Sequence, residues 1–363
     1  MSEVERSPEI DRFRGLAIVL MVFANYFAGI SWVPAWLKHA PDIGFTCIDV
    51  IAPLFIFAIA LTYGASYRRS IASRGRRETA LRFVRRYAAL VGIGAILSAG
   101  EVWFEQGQGA MNWGVLQAIG VAGLLALCFM GFSPWIRLLA GGLILVVYQI
   151  LLDRFWLETV LDSSHGGFPG SISWGGMLII ASGIADLING KGEGRAPTAC
   201  KKIATSEPKI VALKFIAAGL IFVAMGAALG QLIPISKNRV SATYDILSIG
   251  ISAVIYGLAS SSFGLRKRSG KMRVSDGSAM SNSKVTQYRQ YGPITQFLVW
   301  WGRNPIFLYI LHLFVLGIFA LPKASWWYTN AHPALAAFQF LFIVGILTAI
   351  ARALYQKKII ISL

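Results

Sequence analysis

Residues 134–152 read PWIRLLAGGLILVVYQILL, an apolar run in which Arg137 is the single charged residue. A helix of about 20 apolar residues is long enough to cross the hydrocarbon core of a bilayer. Similar runs recur along the chain of 363 residues, which is 56% hydrophobic and 14% charged. A soluble domain carries about 25% charged residues. The pattern therefore predicts an all-α, polytopic membrane protein.

Ten apolar runs are long enough to be read as spans of one transmembrane bundle. We expect a single membrane domain over residues 1–363, with spans at 13–31, 46–66, 83–100, 113–131, 134–152, 173–190, 211–230, 243–264, 296–321 and 335–355.

Basic residues are distributed very unevenly between the two sets of alternating loops. One set, which includes both termini, holds 27 of the 34 Lys and Arg residues, whereas the other set holds five. Lysine- and arginine-rich loops stay in the cytoplasm. We therefore expect both termini to be cytoplasmic, and we read the net charge of +17 as a topology signal and not as a sign of nucleic-acid binding.

The most polar of these loops is 265–295, which begins LRKRSGKMRVSDGSAMSNSKVTQYR. Its Ser, Gly and basic residues are typical of a flexible linker. We expect it to be cytoplasmic, where it would contact either anionic headgroups of the membrane lipids or a cytosolic anion such as a nucleotide.

Few polar side chains fall inside the predicted spans, and each of them is a candidate functional residue. They are Asn25, Asp49, Gln117, Asn304 and His312. Each also has a structural interpretation, such as a hydrogen bond between helices, a helix cap or a satisfied buried histidine. His39, in the loop ISWVPAWLKHAP at 30–41, could equally belong to an interfacial aromatic belt.

The cysteines do not indicate a metal site. Cys47, Cys128 and Cys200 show no CxxC or Cys/His spacing, so the sequence predicts neither a zinc centre nor a disulfide framework. No metal cofactor is expected.

Several motifs, taken in order, resemble the heparan-α-glucosaminide N-acetyltransferase family of transmembrane enzymes. The opening SPEIDRFRGLAIVLMVFANYFAG resembles its D-x-F-R-G and N-Y pattern, and WLKHA followed by TCIDVIAPLFIFAIA resembles its K-H loop and second span. GVLQAIG, IPISKN, WGRNPIFLYILHLF and LYQKKI resemble later motifs in the same order.

This resemblance implies an acyltransferase that moves an acetyl group from cytosolic acetyl-CoA to an acceptor on the other side of the membrane. His39 falls on the catalytic histidine, and Asn25 and Asp49 fall on site residues. We expect His39 to act as a general base, with acyl-histidine formation as the alternative, and Asp49 to orient it. Substrate-binding or acyl-binding roles are expected for Asn25, Gln117, Lys237, Asn238, Asn304 and His312.

Arginines at the cytoplasmic ends of the spans are candidates for binding the phosphates of CoA, because guanidinium groups bind phosphate in a bidentate manner. They are Arg14, Arg68, Arg69 and Arg303.

The sequence departs from the family pattern around the fourth span, where Met111, Asn112 and Ala118 stand, and at the short outer stretch HGGFPG. We therefore expect the amino or hydroxyl group of a sugar or glycan in a bacterial periplasm as acceptor, and the inner membrane as location. A transporter of small organic acids or sugars is the competing interpretation. The oligomeric state, including a homodimer, stays open.

Overall fold

The computed structural model describes residues 7–104, 112–190, 208–262, 292–322 and 324–361. The described residues form helices joined by loops. The helices are α1 (Pro8–Ala28), α2 (Ile51–Arg74), α3 (Arg76–Phe104), α4 (Val115–Leu127), α5 (Pro134–Leu151), α6 (Leu157–Leu161), α7 (Gly167–Ile188), α8 (Pro208–Leu229), α9 (Ala242–Ser262), α10 (Pro293–Arg303), α11 (Pro305–Ala320) and α12 (Pro333–Gln356). Most of the predicted loop 265–295 lies outside the described residues.

The helices support a polytopic helical membrane protein. Six helical stretches are long and apolar enough to cross a bilayer, namely α2, α5 with α6, α7, α8, α9 and α12. The count among described residues rises to seven if α10 and α11 form one bent span. Nine of the ten predicted spans overlap one helix each, and the predicted ninth span covers both α10 and α11. However, α1 and α3 begin with several charged residues and α4 has only 13 residues.

The predicted ninth span, 296–321, is wrong as a single straight helix. Between α10 and α11 the chain bends by 89° at Asn304, whose φ of −127° and ψ of 60° are not helical. Pro305 follows, and a proline disfavours the helical conformation in the residue before it. Asn304 therefore lies at the bend, whereas His312 lies within α11.

Two apolar cores hold the bundle together. The larger one lies around α7, where 83% of the residues in an apolar stretch of 18 are buried. It also includes residues of α2, α3, α4, α5 and α9. The smaller one joins α1 to α10, α11 and α12. The candidate site lies at the level of the loops that follow α1 and α8, where the two cores meet.

Glycines bring α1 and α10 into backbone contact. A Cβ atom on Gly15 would lie 2.0 Å from the carbonyl oxygen of Leu298, and one on Gly302 would lie 1.6 Å from that of Asp11. Only glycine fits at these two positions, so the packing of α1 against α10 depends on them.

Candidate active site

The loop between α1 and α2 carries His39, and hydrogen bonds fix its course. The backbone N–H of Ser31 donates to Thr329 O (2.8 Å), and Trp32 Nε1 donates to Ala331 O (2.8 Å). Lys38 Nζ donates to the carbonyl of Ile30 at 2.7 Å. The Lys38 side chain thus stabilises the loop itself, through its bond to Ile30.

His39 and Asp49 form a hydrogen-bonded pair. Nδ1 of His39 lies 2.8 Å from Oδ1 of Asp49, which is fully buried, whereas 44% of the His39 side chain is exposed. The other carboxylate oxygen accepts from the backbone N–H of Thr46 (2.9 Å), from its hydroxyl (3.0 Å) and from the backbone N–H of Ala40 (3.3 Å).

These contacts keep Asp49 ionised. Burial alone would raise the pKa of Asp49, but the hydrogen bonds from His39 and Thr46, together with the nearby charge of Lys237, hold that pKa below its usual range. A carboxylate facing Nδ1 keeps the proton of a neutral imidazole on that atom, which leaves Nε2 as the basic nitrogen.

A second loop, between α8 and α9, places Lys237 against the imidazole. Its Nζ lies 3.1 Å from Nδ1 of His39. Burial lowers the pKa of Lys237 to about 8, although the charge of Asp49 acts in the opposite direction. His39, Asp49 and Lys237 therefore form one compact, charged group.

The two loops are held together by polar contacts. Arg239 pairs with Asp42, and this hydrogen bond lowers the pKa of the Asp42 carboxyl. Asn238 Nδ2 donates to the carbonyl of Pro41, and the hydroxyl of Tyr244 in α9 donates to the backbone carbonyl of Asp49 at 2.7 Å. Residues nearly 200 positions apart thus build one site.

A cavity of about 480 Å³ opens beside this group. Its wall includes four of the predicted site residues, Asn25, His39, Lys237 and Asn238. Apolar residues of the same wall include Met21, Ile51, Phe55, Leu97, Tyr309 and Leu313.

His312 of α11 supports the cavity wall from behind. Its Nδ1 donates to the carbonyl of Tyr309, so its Nε2 accepts from Asn25 Nδ2 at 2.9 Å. Asn25 and His312 are brought together, as the sequence predicted for one site, but His312 acts on the cavity through Asn25.

Two other predicted site residues do not line the cavity. Gln117 Oε1 accepts from the backbone N–H of Gly114 at 2.6 Å and closes the start of α4. Asn304 pairs with the C-terminal segment, because its Nδ2 donates to Ile359 O (3.0 Å) and its Oδ1 accepts from Ile361 N (2.8 Å). Structural bonds therefore occupy both polar groups of the Asn304 side chain and the side-chain oxygen of Gln117.

The predicted phosphate-binding arginines have different surroundings. Arg68 makes a bidentate pair with Asp186 (2.7 and 2.9 Å), which also binds the buried Arg137 at 2.5 Å. Arg69 is exposed and donates Nε to the carbonyl of Ala65. Arg14 lies near Asp11 and Thr62, and Arg303 lies over the ring of Tyr355. The structure does not gather the four into one cluster.

The cavity wall also includes His165, which the sequence does not predict as a site residue. Asn112, Trp113 and Ser164 line the cavity as well. The stretch HGGFPG carries a signal for this turn, since two consecutive glycines after a histidine favour a tight turn.

A metal site is not evident in this region. Within residues 7–104, 112–190, 208–262, 292–322 and 324–361, no group of three or more His, Cys, Asp or Glu side chains could hold a metal ion.

Comparisons with known proteins agree with the resemblance in the sequence. Two curated proteins, both named heparan-alpha-glucosaminide N-acetyltransferase, are similar to part of the chain: that of Mus musculus is 35% identical over 128 residues, and that of Homo sapiens 34% over 124 residues. These segments cover 33% and 32% of this chain and 18% of each relative. The chain thus matches less than a fifth of the length of these relatives.

Lys237, Asn238 and His312 lie outside the part of the chain that a family model matches. That model, described as "Heparan-alpha-glucosaminide N-acetyltransferase, catalytic", matches residues 6–166 and so includes Asn25, His39, Asp49 and the stretch up to His165. The predicted resemblance is confirmed: over residues 6–166 this chain carries the pattern of the heparan-alpha-glucosaminide N-acetyltransferase catalytic family.

Proposed function

We propose that this protein is a membrane-embedded acyltransferase that uses acetyl-CoA as donor and a sugar hydroxyl or amino group as acceptor. One observation supports this most directly: His39, held by a buried and ionised Asp49, lies on the wall of a cavity that also contains Asn25. An imidazole oriented in this way is a suitable general base.

In the proposed reaction, the acceptor O–H or N–H lies against Nε2 of His39. The acceptor atom attacks the thioester carbonyl, and its proton passes to Nε2. When the tetrahedral intermediate collapses, the C–S bond breaks and the imidazolium returns the proton to the CoA thiolate. An ester or amide and free CoA result, so no redox partner is needed.

Asn25 is proposed to stabilise the oxyanion of that intermediate. An amide nitrogen carries two hydrogens, and one Nδ2–H of Asn25 is used on His312. The second hydrogen is then available for the carbonyl oxygen of the thioester. His312 keeps the amide in one orientation, because its Nε2 can only accept here.

The membrane arrangement is part of the proposal. We propose ten crossings with both termini in the cytoplasm of a bacterium, so that the loops with His39 and Lys237 lie on the periplasmic side. The donor would enter from the basic cytoplasmic side, where Arg69 is exposed. Lysine and arginine in short loops determine this orientation.

The test uses purified protein in lipid nanodiscs. We expect acetyl-CoA to stabilise the fold against heat and free CoA to be released slowly by transfer to water. His39→Ala should keep the thermal stabilisation but lower CoA release by about 10²–10⁴-fold. His332→Ala is the matched control, since His332 caps α12 and does not line the cavity. A transporter would show neither the stabilisation nor the release.

A further inference from the structure

His165 is the second histidine on the cavity wall, and hydrogen bonds hold the backbone around it. The backbone N–H of the preceding Ser164 donates to Asn112 Oδ1 at 3.1 Å, and Trp174 Nε1 donates to the carbonyl of His165 at 3.2 Å. Neither bond involves the imidazole. They hold the backbone that carries it.

The backbone at His165 is strained. Its φ is 56°, in the left-handed region that few residues other than glycine adopt, and Gly166 and Gly167 follow with φ of 77° and 63°. Such conformations are found preferentially at functional sites. This turn places His165 at the cavity wall.

The hydrogen bond at Nδ1 defines what the ring can do. Nδ1 lies 3.3 Å from the carbonyl oxygen of Trp113. A carbonyl oxygen only accepts, so Nδ1 carries the proton, and in the neutral imidazole Nε2 holds a lone pair. Nε2 of His165 is therefore a hydrogen-bond acceptor.

The wall of the cavity carries both polar and apolar side chains. Asn112, Ser164, His165, Lys237 and Asn238 line it together with His39. A ligand that contacts these residues must present several polar groups, whereas the apolar residues of the wall suit an acyl chain or the arm of a carrier.

We propose that His165 binds the acceptor, with Nε2 accepting a hydrogen bond from a hydroxyl that is not itself acetylated. The acceptor is then a polyol such as a sugar ring, which gives one hydroxyl or amino group to His39 and a second hydroxyl to His165. This inference rests on the proposed function. It assigns acceptor binding to a residue of the stretch HGGFPG, where the sequence departs from the family pattern.

The first test is independent of the acceptor. The chain has four histidines, so nitrogen-15 labelling of histidine resolves each ring, and His165→Gln identifies its signals. We expect the resonance of an unprotonated Nε2 and a protonated Nδ1 for His165. The opposite tautomer, or an imidazolium at pH 7.5, overturns the proposal.

The second test measures transfer from acetyl-CoA to methyl β-D-glucopyranoside and to its four monodeoxy analogues. In His165→Ala we expect the KM for the glucoside to rise about fivefold to tenfold, the effect of losing one hydrogen bond. The KM for acetyl-CoA should change less than twofold. The wild type should discriminate against one deoxy analogue that His165→Ala accepts as well as the glucoside.

The control is His332→Ala, which should retain the wild-type discrimination. An unchanged KM for the glucoside in His165→Ala overturns the proposal, and so does refusal of all five glycosides by a protein that hydrolyses acetyl-CoA. Failure of the proposed function looks different, since the wild type would then neither bind nor hydrolyse acetyl-CoA.

Discussion

Oδ1 of Asp49 lies 2.8 Å from Nδ1 of His39, and the carboxylate is fully buried while nearly half of the imidazole is exposed. This difference in burial matters because a buried, ionised carboxylate fixes the tautomer of a ring that still reaches a substrate.

Asp49→Asn should therefore inactivate the site without removing His39. The backbone N–H groups of Thr46 and Ala40 will hold the amide oxygen, so the NH₂ group will face Nδ1 and the proton will move to Nε2. We expect kcat to fall by about 10²–10⁴-fold. Release of CoA from acetyl-CoA measures this effect, with Asp42→Asn as the control. A rate within threefold of the wild type would contradict the orienting role.

Lys237 should make stability depend on pH at the alkaline end. Its pKa in the folded protein is lowered from 10.5 to about 8, so between these values the unfolded chain binds more protons. The free energy of unfolding should then rise as pH increases from about 8 to 10.5. Lys237→Met should remove this rise, which melting temperatures in nanodiscs across that range will measure. Parallel pH curves for the two proteins would contradict the assignment.

Substitutions of Arg68 and Arg69 should have different effects, because we expect Arg68 to stabilise the fold and Arg69 to bind the donor. Arg68→Gln removes one of the two arginines from Asp186 and should cost about 1–3 kcal/mol of stability, seen as a lower melting temperature. Arg69→Gln should leave stability unchanged and raise the KM for acetyl-CoA, most clearly at low salt. An unchanged KM in Arg69→Gln at every ionic strength would remove Arg69 from the donor site.

Gly302→Ala should loosen the contact between α1 and α10. The new methyl group would overlap the carbonyl of Asp11, and such overpacking costs about 1–3 kcal/mol. Gly345→Ala is the control, because no atom lies within 4 Å of a Cβ atom at that position of α12. Thermal unfolding of both variants measures the effect, and equal melting temperatures would show that the two helices can separate freely.

Labelling of single cysteines will test the orientation. In a chain whose Cys47, Cys128 and Cys200 are replaced by Ser, an impermeant maleimide should modify Lys38→Cys in intact cells and Arg74→Cys only after lysis. Labelling of position 74 in intact cells would reverse the proposed topology.

The sequence alone determined the class of protein and its helices, because apolar runs of helical length are a local property. It also predicted His39, Asp49 and Asn25 as site residues, and these lie in or next to the first two helices and within the matched family pattern. The Asn-Pro pair at 304–305 is a sequence signal for the bend. The apolar residues on both sides nevertheless favoured one continuous span.

Only the tertiary structure decided what these residues contact. Lys237 reaches His39 across 198 positions of sequence, and Asn25 reaches His312 across 287. The periodicity of the sequence does not predict these contacts, because they depend on how the two cores pack. For the same reason the sequence could not show that Gln117 and Asn304 are occupied by structural bonds, or that a strained turn brings His165 to the cavity opened beside His39.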